Sequence, residues 1–297
     1  MPNTKTVRIP HLGGIDAAYQ MPKQYDPSKP TLVLVNSFTT SSDLYRQQFD
    51  NDKLTATMNL LAIELLGHGQ TRTQRENWTY WDTAEMNLQV LDALNIDKAF
   101  VLGTSQGGWI TTRMALMRPE KIAGIIPLGT SMDNESQRTR ELGCWDAPNL
   151  LTPNINEWAS KAPTHDFEPS LGYCDFLIDI GFGKDCPADV RQFWRKTIRD
   201  NYQGDDGRRR MRMAAINLRD RDGLHARLFD ISCPVLWLHG TKDVVYSVPN
   251  AQHEIELFTN SPDTELVTVE GGAHFLSATH PRDVDEALIK FVTKHSR

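Results

Sequence analysis

Runs of consecutive apolar residues alternate along this chain with segments whose apolar positions recur every three or four residues. A strand covered on both faces is apolar residue after residue, without the one-in-two alternation of a half-exposed strand. Residues 31–36, 58–66, 98–104, 122–128, 234–239 and 265–269 have that character and predict six central strands. Between them, Trp81, Ala84, Leu88 and Leu91 share one helix face and predict a helix over 80–94. Residues 110–117 predict a second, stopped by Arg118-Pro119, and 249–258 a third. A final helix over 282–295 buries Val284, Ala287, Leu288, Phe291 and Val292. Residues 7–10 and 15–21, parted by Gly13-Gly14, read as an opening hairpin, and Leu44, Tyr45 and Phe49 as a short helix. Strands alternating with helices predict an α/β fold, a doubly wound and mostly parallel sheet with helices on both faces.

The alternation stops between residues 132 and 230. That stretch has no strand series, is cut by Pro148, Pro153, Pro163, Pro169 and Pro187, and carries Trp145, Trp158, Phe167, Phe176, Phe182, Phe193 and Trp194. It reads as a helical cap inserted into the sheet domain, because segments of such length inside a compact fold usually serve function. The division is 1–131 for the first part of the core, 132–230 for the cap and 231–297 for the second part. The cap aromatics read first as its core and second as the wall of a pocket.

Composition narrows the function classes. At 297 residues the chain can bury a sizeable core, and 24% charged with 39% hydrophobic residues is ordinary for a globular protein. A net charge of −6 argues against a nucleic-acid partner and against attraction to a membrane surface. The basic run Arg208-Arg209-Arg210-Met211-Arg212 falls in a helical stretch and reads as a solvated or salt-bridged face. Cys144, Cys174, Cys186 and Cys233 form no C-x-x-C pair, so neither a zinc site nor a disulfide framework is expected. Residues 1–5 lack the apolar core of a signal peptide, no apolar run reaches the ~20 residues that span a bilayer, and Lys294-His295-Ser296-Arg297 is no peroxisomal address. A cytoplasmic location is the expectation.

The chemistry gathers where strands end. Gly103-Thr104-Ser105-Gln106-Gly107 follows one strand directly and opens a helix. Gly-x-Ser-x-Gly arises by chance in roughly one chain in ten of this length, so its context must carry the weight. Small residues on either side let the backbone turn sharply and lift the serine hydroxyl above the sheet edge at a helix N-terminus. Asp243 follows the next strand but one, in Gly240-Thr241-Lys242-Asp243, and His274 follows the last, after Gly271-Gly272-Ala273. A serine hydroxyl becomes a nucleophile when an imidazole takes its proton, and the imidazole needs a carboxylate to hold its tautomer. Ser105, Asp243 and His274 are therefore the expected catalytic residues. Taken separately, Asp243 also reads as a helix cap and His274 as a loop histidine, while His68, His239 and His280 read as loop or capping residues. The developing oxyanion needs two donors: the Gln106 N–H, and one from the loop Asn36-Ser37-Phe38-Thr39-Thr40, with the Phe38 N–H first and Ser37 next. An Asn-Ser turn there also reads as a cap for the helix at Leu44. Trp109 is expected beneath the cap, with Ser37, as a substrate contact.

These motifs together resemble the α/β-hydrolase superfamily over nearly the whole chain, and the Asn36-Ser37 form of the loop resembles its 3-oxoadipate enol-lactonase branch. The resemblance implies the α/β-hydrolase fold with an eight-stranded sheet, a helical cap and a cofactor-free Ser-His-Asp mechanism, with Phe38 and Gln106 as oxyanion donors. The family's usual aspartate before Gly67 is replaced, since Glu64-Leu65-Leu66 stands there. Serine at the elbow argues against haloalkane dehalogenase or epoxide hydrolase chemistry, which uses aspartate. The expected function is hydrolysis of a small, fairly apolar carboxylic ester or lactone, with a small-molecule substrate and no cofactor or metal. The same residues also suit carbon–carbon bond hydrolysis, acyl transfer to another acceptor, or a slow-turnover small-molecule sensor.

Overall fold

A computed structural model describes residues 3–296; Met1, Pro2 and Arg297, which entered the targeting expectation, lie outside the described residues. Nine strands form one sheet: β1 (Lys5–Ile9), β2 (Ile15–Gln20), β3 (Thr31–Val35), β4 (Asn59–Ile63), β5 (Arg72–Thr73), β6 (Ala99–Thr104), β7 (Ile122–Leu128), β8 (Val235–Gly240) and β9 (Thr264–Val269). Their order is β1-β2-β4-β3-β6-β7-β8-β9, with β5 paired to β2 at the side. Pairs from β4 through β9 are parallel, and β2 runs antiparallel to β1, β4 and β5. The eight-stranded expectation gains β5, a two-residue strand too short to leave a hydrophobic pattern.

The helices are α1 (Arg46–Phe49), α2 (Asp52–Thr57), α3 (Tyr80–Ala93), α4 (Gln106–Met117), α5 (Gln137–Glu141), α6 (Ala147–Glu157), α7 (Leu171–Phe182), α8 (Ala188–Asn201), α9 (Gly204–Asp220), α10 (Val248–Ile255), α11 (Leu276–Thr279) and α12 (Pro281–His295). The continuous apolar strands divide their side chains between two cores, as the period of two requires. Val33, Val35, Val101, Ile125 and Trp237 meet Leu88 and Leu91 of α3 and Ile110 and Met114 of α4 on one face. Leu32, Leu34, Phe100, Leu102, Ile126 and Leu238 meet Leu54 of α2 and Val284, Leu288, Phe291 and Val292 of α12 on the other.

Five helices, α5 to α9, stand between β7 and β8. Leu151, Ile155, Trp158, Tyr173, Ile198, Tyr202, Met211 and Leu218 form a third core there, joined by Phe38 from the loop after β3. The arginine run lies on α9, and its ion pairs are as the charge pattern suggested: Arg208 and Arg209 pair with Asp205, and Arg210 with Asp206. Arg208 and Arg210 are nevertheless buried rather than solvated, and they also donate to the carbonyls of Trp158, Gly67 and Asn201. All four cysteines are free thiols, and burial pushes the thiols of Cys144 and Cys174 up to about 11 and that of Cys233 to about 12. Among the described residues no helix is long and apolar enough to cross a membrane.

Candidate active site

Ser105 caps α4 with φ +54° and ψ −121°, a left-handed backbone that side chains other than glycine rarely adopt. Its neighbours hold the strain. The Ser105 N–H donates to the Leu128 carbonyl at 2.9 Å, and its own carbonyl accepts from the Gly108 N–H at 2.8 Å and from the Thr130 hydroxyl at 2.7 Å. The glycines have a steric cause: a Cβ on Gly103 would overlap the Gly107 carbonyl, and one on Gly107 would lie 2.5 Å from the Val35 carbonyl oxygen. The serine is thereby raised at the carboxyl end of β6, and α4 begins with the Gln106 N–H beside it.

Asp243 and His274 occupy the loops after β8 and β9. The His274 Nδ1–H donates to Asp243 Oδ2 at 2.8 Å, and the Val245 and Tyr246 N–H groups donate to Asp243 Oδ1 at 2.8 and 3.1 Å. Burial pushes the Asp243 carboxyl up, but the adjoining His274, its hydrogen bond, His239 and the Val245 N–H together hold it below the usual carboxylate range. The carboxylate is therefore ionised and fixes the imidazole with Nε2 free. His274 and Ser105 line the same cavity. His239 is fully buried behind this pair, with Nε2 donating to the Tyr246 carbonyl at 2.8 Å.

The loop after β3 is organised by Asn36. Its amide donates to the Thr40 carbonyl at 2.8 Å, and its Oδ1 accepts the Leu65 N–H at 3.1 Å. The Ser37 N–H donates to Thr40 Oγ1 at 3.0 Å, and Thr39 takes φ +56°. Among the described residues neither the Phe38 nor the Gln106 N–H donates to a protein acceptor, which leaves both available to a ligand oxygen. The Asn-Ser turn is not a helix cap. Ser41 caps the short 3-10 helix Ser42–Tyr45, because only its side chain reaches the Asp43 N–H.

The cavity is bounded by Ser37, Phe38, Thr39 and Thr40 on the β3 side and by Leu177, Ile178, Phe182, Trp194, Ile198 and Leu218 of α7, α8 and α9. Of the insertion aromatics, Trp145, Phe182 and Trp194 line it, whereas Trp158 packs edge-on against Tyr173 in the insertion core. Trp109 is a correction: it is fully buried, donates from Nε1 to the Asp133 carbonyl and packs against Tyr246 and Arg221, away from the cavity lining. Asp133, Tyr246 and Arg221 close over it, and it belongs to the core cluster that also holds Ile110 and Met114 of α4.

The side chains of His68, Gln106 and Glu64 make contacts that their sequence positions did not disclose. His68 is buried with Nδ1–H donating to the Leu66 carbonyl, so its Nε2 accepts from the Gln106 side-chain amide at 3.0 Å, and Gln106 Oε1 in turn accepts the Tyr80 hydroxyl at 2.9 Å. Glu64 accepts the Ser42 N–H and hydroxyl and the Gln70 N–H, bracing the loops around Asn36 and His68, and burial raises its carboxyl. Phe275, which also lines the cavity, follows His274 directly and could have been found from that position. The Glu64 and His68 contacts join segments distant in sequence and leave no local signal. Among the described residues no three His, Cys, Asp or Glu side chains gather as metal ligands would.

The family described as alpha/beta hydrolase fold matches residues 30–281, and so takes in β3 to the start of α12 with every strand end just described. The chain belongs to this family. Over 89% of its length it is 24% identical to the dihydrolipoyllysine-residue acetyltransferase component of the acetoin cleaving system of Pseudomonas putida, of which it spans 64%. It is also 24% identical over 88% of its length to 3-oxoadipate enol-lactonase 2 of Acinetobacter baylyi, covering 87% of that protein. Among solved structures, an esterase of Thermogutta terrifontis superposes with a TM-score of 0.78 at 18% identity, over 98% of this chain and 99% of that one. As a family member at such low identity, the chain shares the fold with these proteins, and its chemistry rests on its own residues.

Proposed function

We propose that this α/β-hydrolase is a serine hydrolase that cleaves a small, fairly apolar carboxylic ester or lactone. The observation that carries the reading is the His274–Asp243 hydrogen bond of 2.8 Å at the same cavity as a serine held at φ +54°. In the proposed sequence Ser105 Oγ attacks the carbonyl carbon while its proton passes to His274 Nε2. The carbonyl oxygen becomes an oxyanion held by the Phe38 and Gln106 N–H groups, and Asp243 stabilises the imidazolium. Collapse breaks the bond to the alkoxy oxygen, which leaves with the proton from His274. Water then gives a proton to His274 and adds to the acyl carbon, and return of that proton to Ser105 Oγ frees the acid. The helical insertion acts as a cap that keeps bulk water from the acyl group. Relatives named as enol-lactonase and esterase support the ester or lactone reading as its outline.

The test pairs wild type with Ser105→Ala. Wild type is expected to hydrolyse short p-nitrophenyl esters and to gain one fluorophosphonate adduct by intact mass. Ser105→Ala should keep its melting temperature, take up no adduct and lose activity by at least about 1,000-fold. Equal turnover by the two proteins would sink the proposal.

A further inference from the structure

The side chains lining the cavity include one ionisable group, His274, and no Lys, Arg, Asp or Glu among the described residues. Polar atoms cluster at one end, on Ser37, Thr39, Thr40 and Ser105, where a scissile carbonyl would sit. The rest of the wall is hydrocarbon and indole, from Leu177, Ile178, Phe182, Trp194, Ile198 and Leu218. This is not for want of cations nearby. Helix α8, which presents Trp194 and Ile198 to the cavity, also carries Arg191, Arg195, Lys196 and Arg199. Each is committed to an acid: Arg191 to Asp175 and Asp179, Arg195 to Asp175, Lys196 to Asp200 and Arg199 to Glu168. An anion entering the apolar end would lose its hydration and meet no counter-ion.

We propose that the cavity selects an uncharged hydrocarbon acyl group and rejects substrates with a carboxylate at the far end of the acyl chain. The enol-lactonase relative bears the name of a dicarboxylate, 3-oxoadipate. By charge alone this cavity is set against such an anionic group. The inference rests on the reading of this cavity as the substrate site, and its test separates binding from turnover.

Three p-nitrophenyl esters of matched chain make the comparison: the hexanoate, the methyl adipate and the adipate monoacid. The second and third are close in length and differ by a charge. Titrated into Ser105→Ala, each ester is read by quenching of tryptophan emission, to which Trp145 and Trp194 at the cavity contribute. The hexanoate and the methyl adipate are expected to bind at least about 100-fold more tightly than the monoacid at neutral pH, comparable to or larger than the discrimination of apolar pockets against an added hydroxyl. Equal affinities for methyl adipate and monoacid would overturn charge rejection, as would binding of none of the three. Turnover by the wild type is scored separately. Binding with the expected order but without hydrolysis would sink the hydrolase reading and leave the charge selection standing.

Discussion

His68 couples the elbow to its surroundings through a neutral imidazole. Burial, opposed by the hydrogen bond to the Leu66 carbonyl and aided by the charge of Arg210, brings its pKa down to about 4. An unfolded histidine titrates near 6.5. Between pH ~6.5 and ~4 the unfolded chain therefore takes up a proton that the folded chain refuses, so stability falls as pH drops through that window and is unaffected by this group above it. The full loss at the acid end is about 3 kcal/mol. Denaturant unfolding at pH 7 and pH 4.5 is expected to show that His68→Gln loses about 2 kcal/mol less than wild type over this interval. Equal losses would mean that His68 is protonated in the fold.

At the scale of elements, the strand–elbow–helix unit depends on backbones that approach too closely for side chains. Gly107, in the first turn of α4, faces the carbonyls of Val35 and Asn36 at the end of β3, so any Cβ there must push the helix away from that strand. Gly107→Ala is expected to destabilise the fold by more than about 3 kcal/mol, read as a shift in the urea midpoint. An unchanged midpoint would show that β3 and α4 can separate at little cost. The spacing of this unit was legible from its glycines alone. The bracing that keeps it in place was not, because Asn36, Glu64 and His68 act on loops dozens of residues away.

Over the whole molecule, the helical insertion is tied to the sheet domain by many polar contacts, Arg113 and Trp81 to Asp222, Arg209 to Glu76 and His225 to Glu254 among them, and Arg210 adds another. From α9 it donates to the carbonyl of Gly67, in the loop that carries His68, and to that of Asn201, while pairing with Asp206. Its guanidinium also lies over the Tyr202 ring. Arg210→Met keeps the aliphatic stem and removes these bonds. It is expected to cost about 2 kcal/mol of stability and to raise KM more than it lowers kcat, because it loosens the cavity roof and leaves Ser105 and His274 untouched. A fall in kcat alone would show instead that Arg210 acts through His68 on the elbow.

Local pattern by itself determined the strand series, the interruption at 132–230 and the three strand ends bearing Ser105, Asp243 and His274. Strand burial, helix period and glycine turns are properties of neighbouring residues, so they are written in consecutive positions. Tertiary structure alone decided which side chains share a space. It sent Trp109 into the core and Trp145 and Trp194 to the cavity, added β5, buried Arg208 and Arg210, and joined Tyr80, Gln106 and His68 in one chain of hydrogen bonds. The apolar end of the cavity belongs to that second kind: its emptiness of charge comes from the turning of α8, which sends Trp194 and Ile198 inward and its arginines outward to their acids.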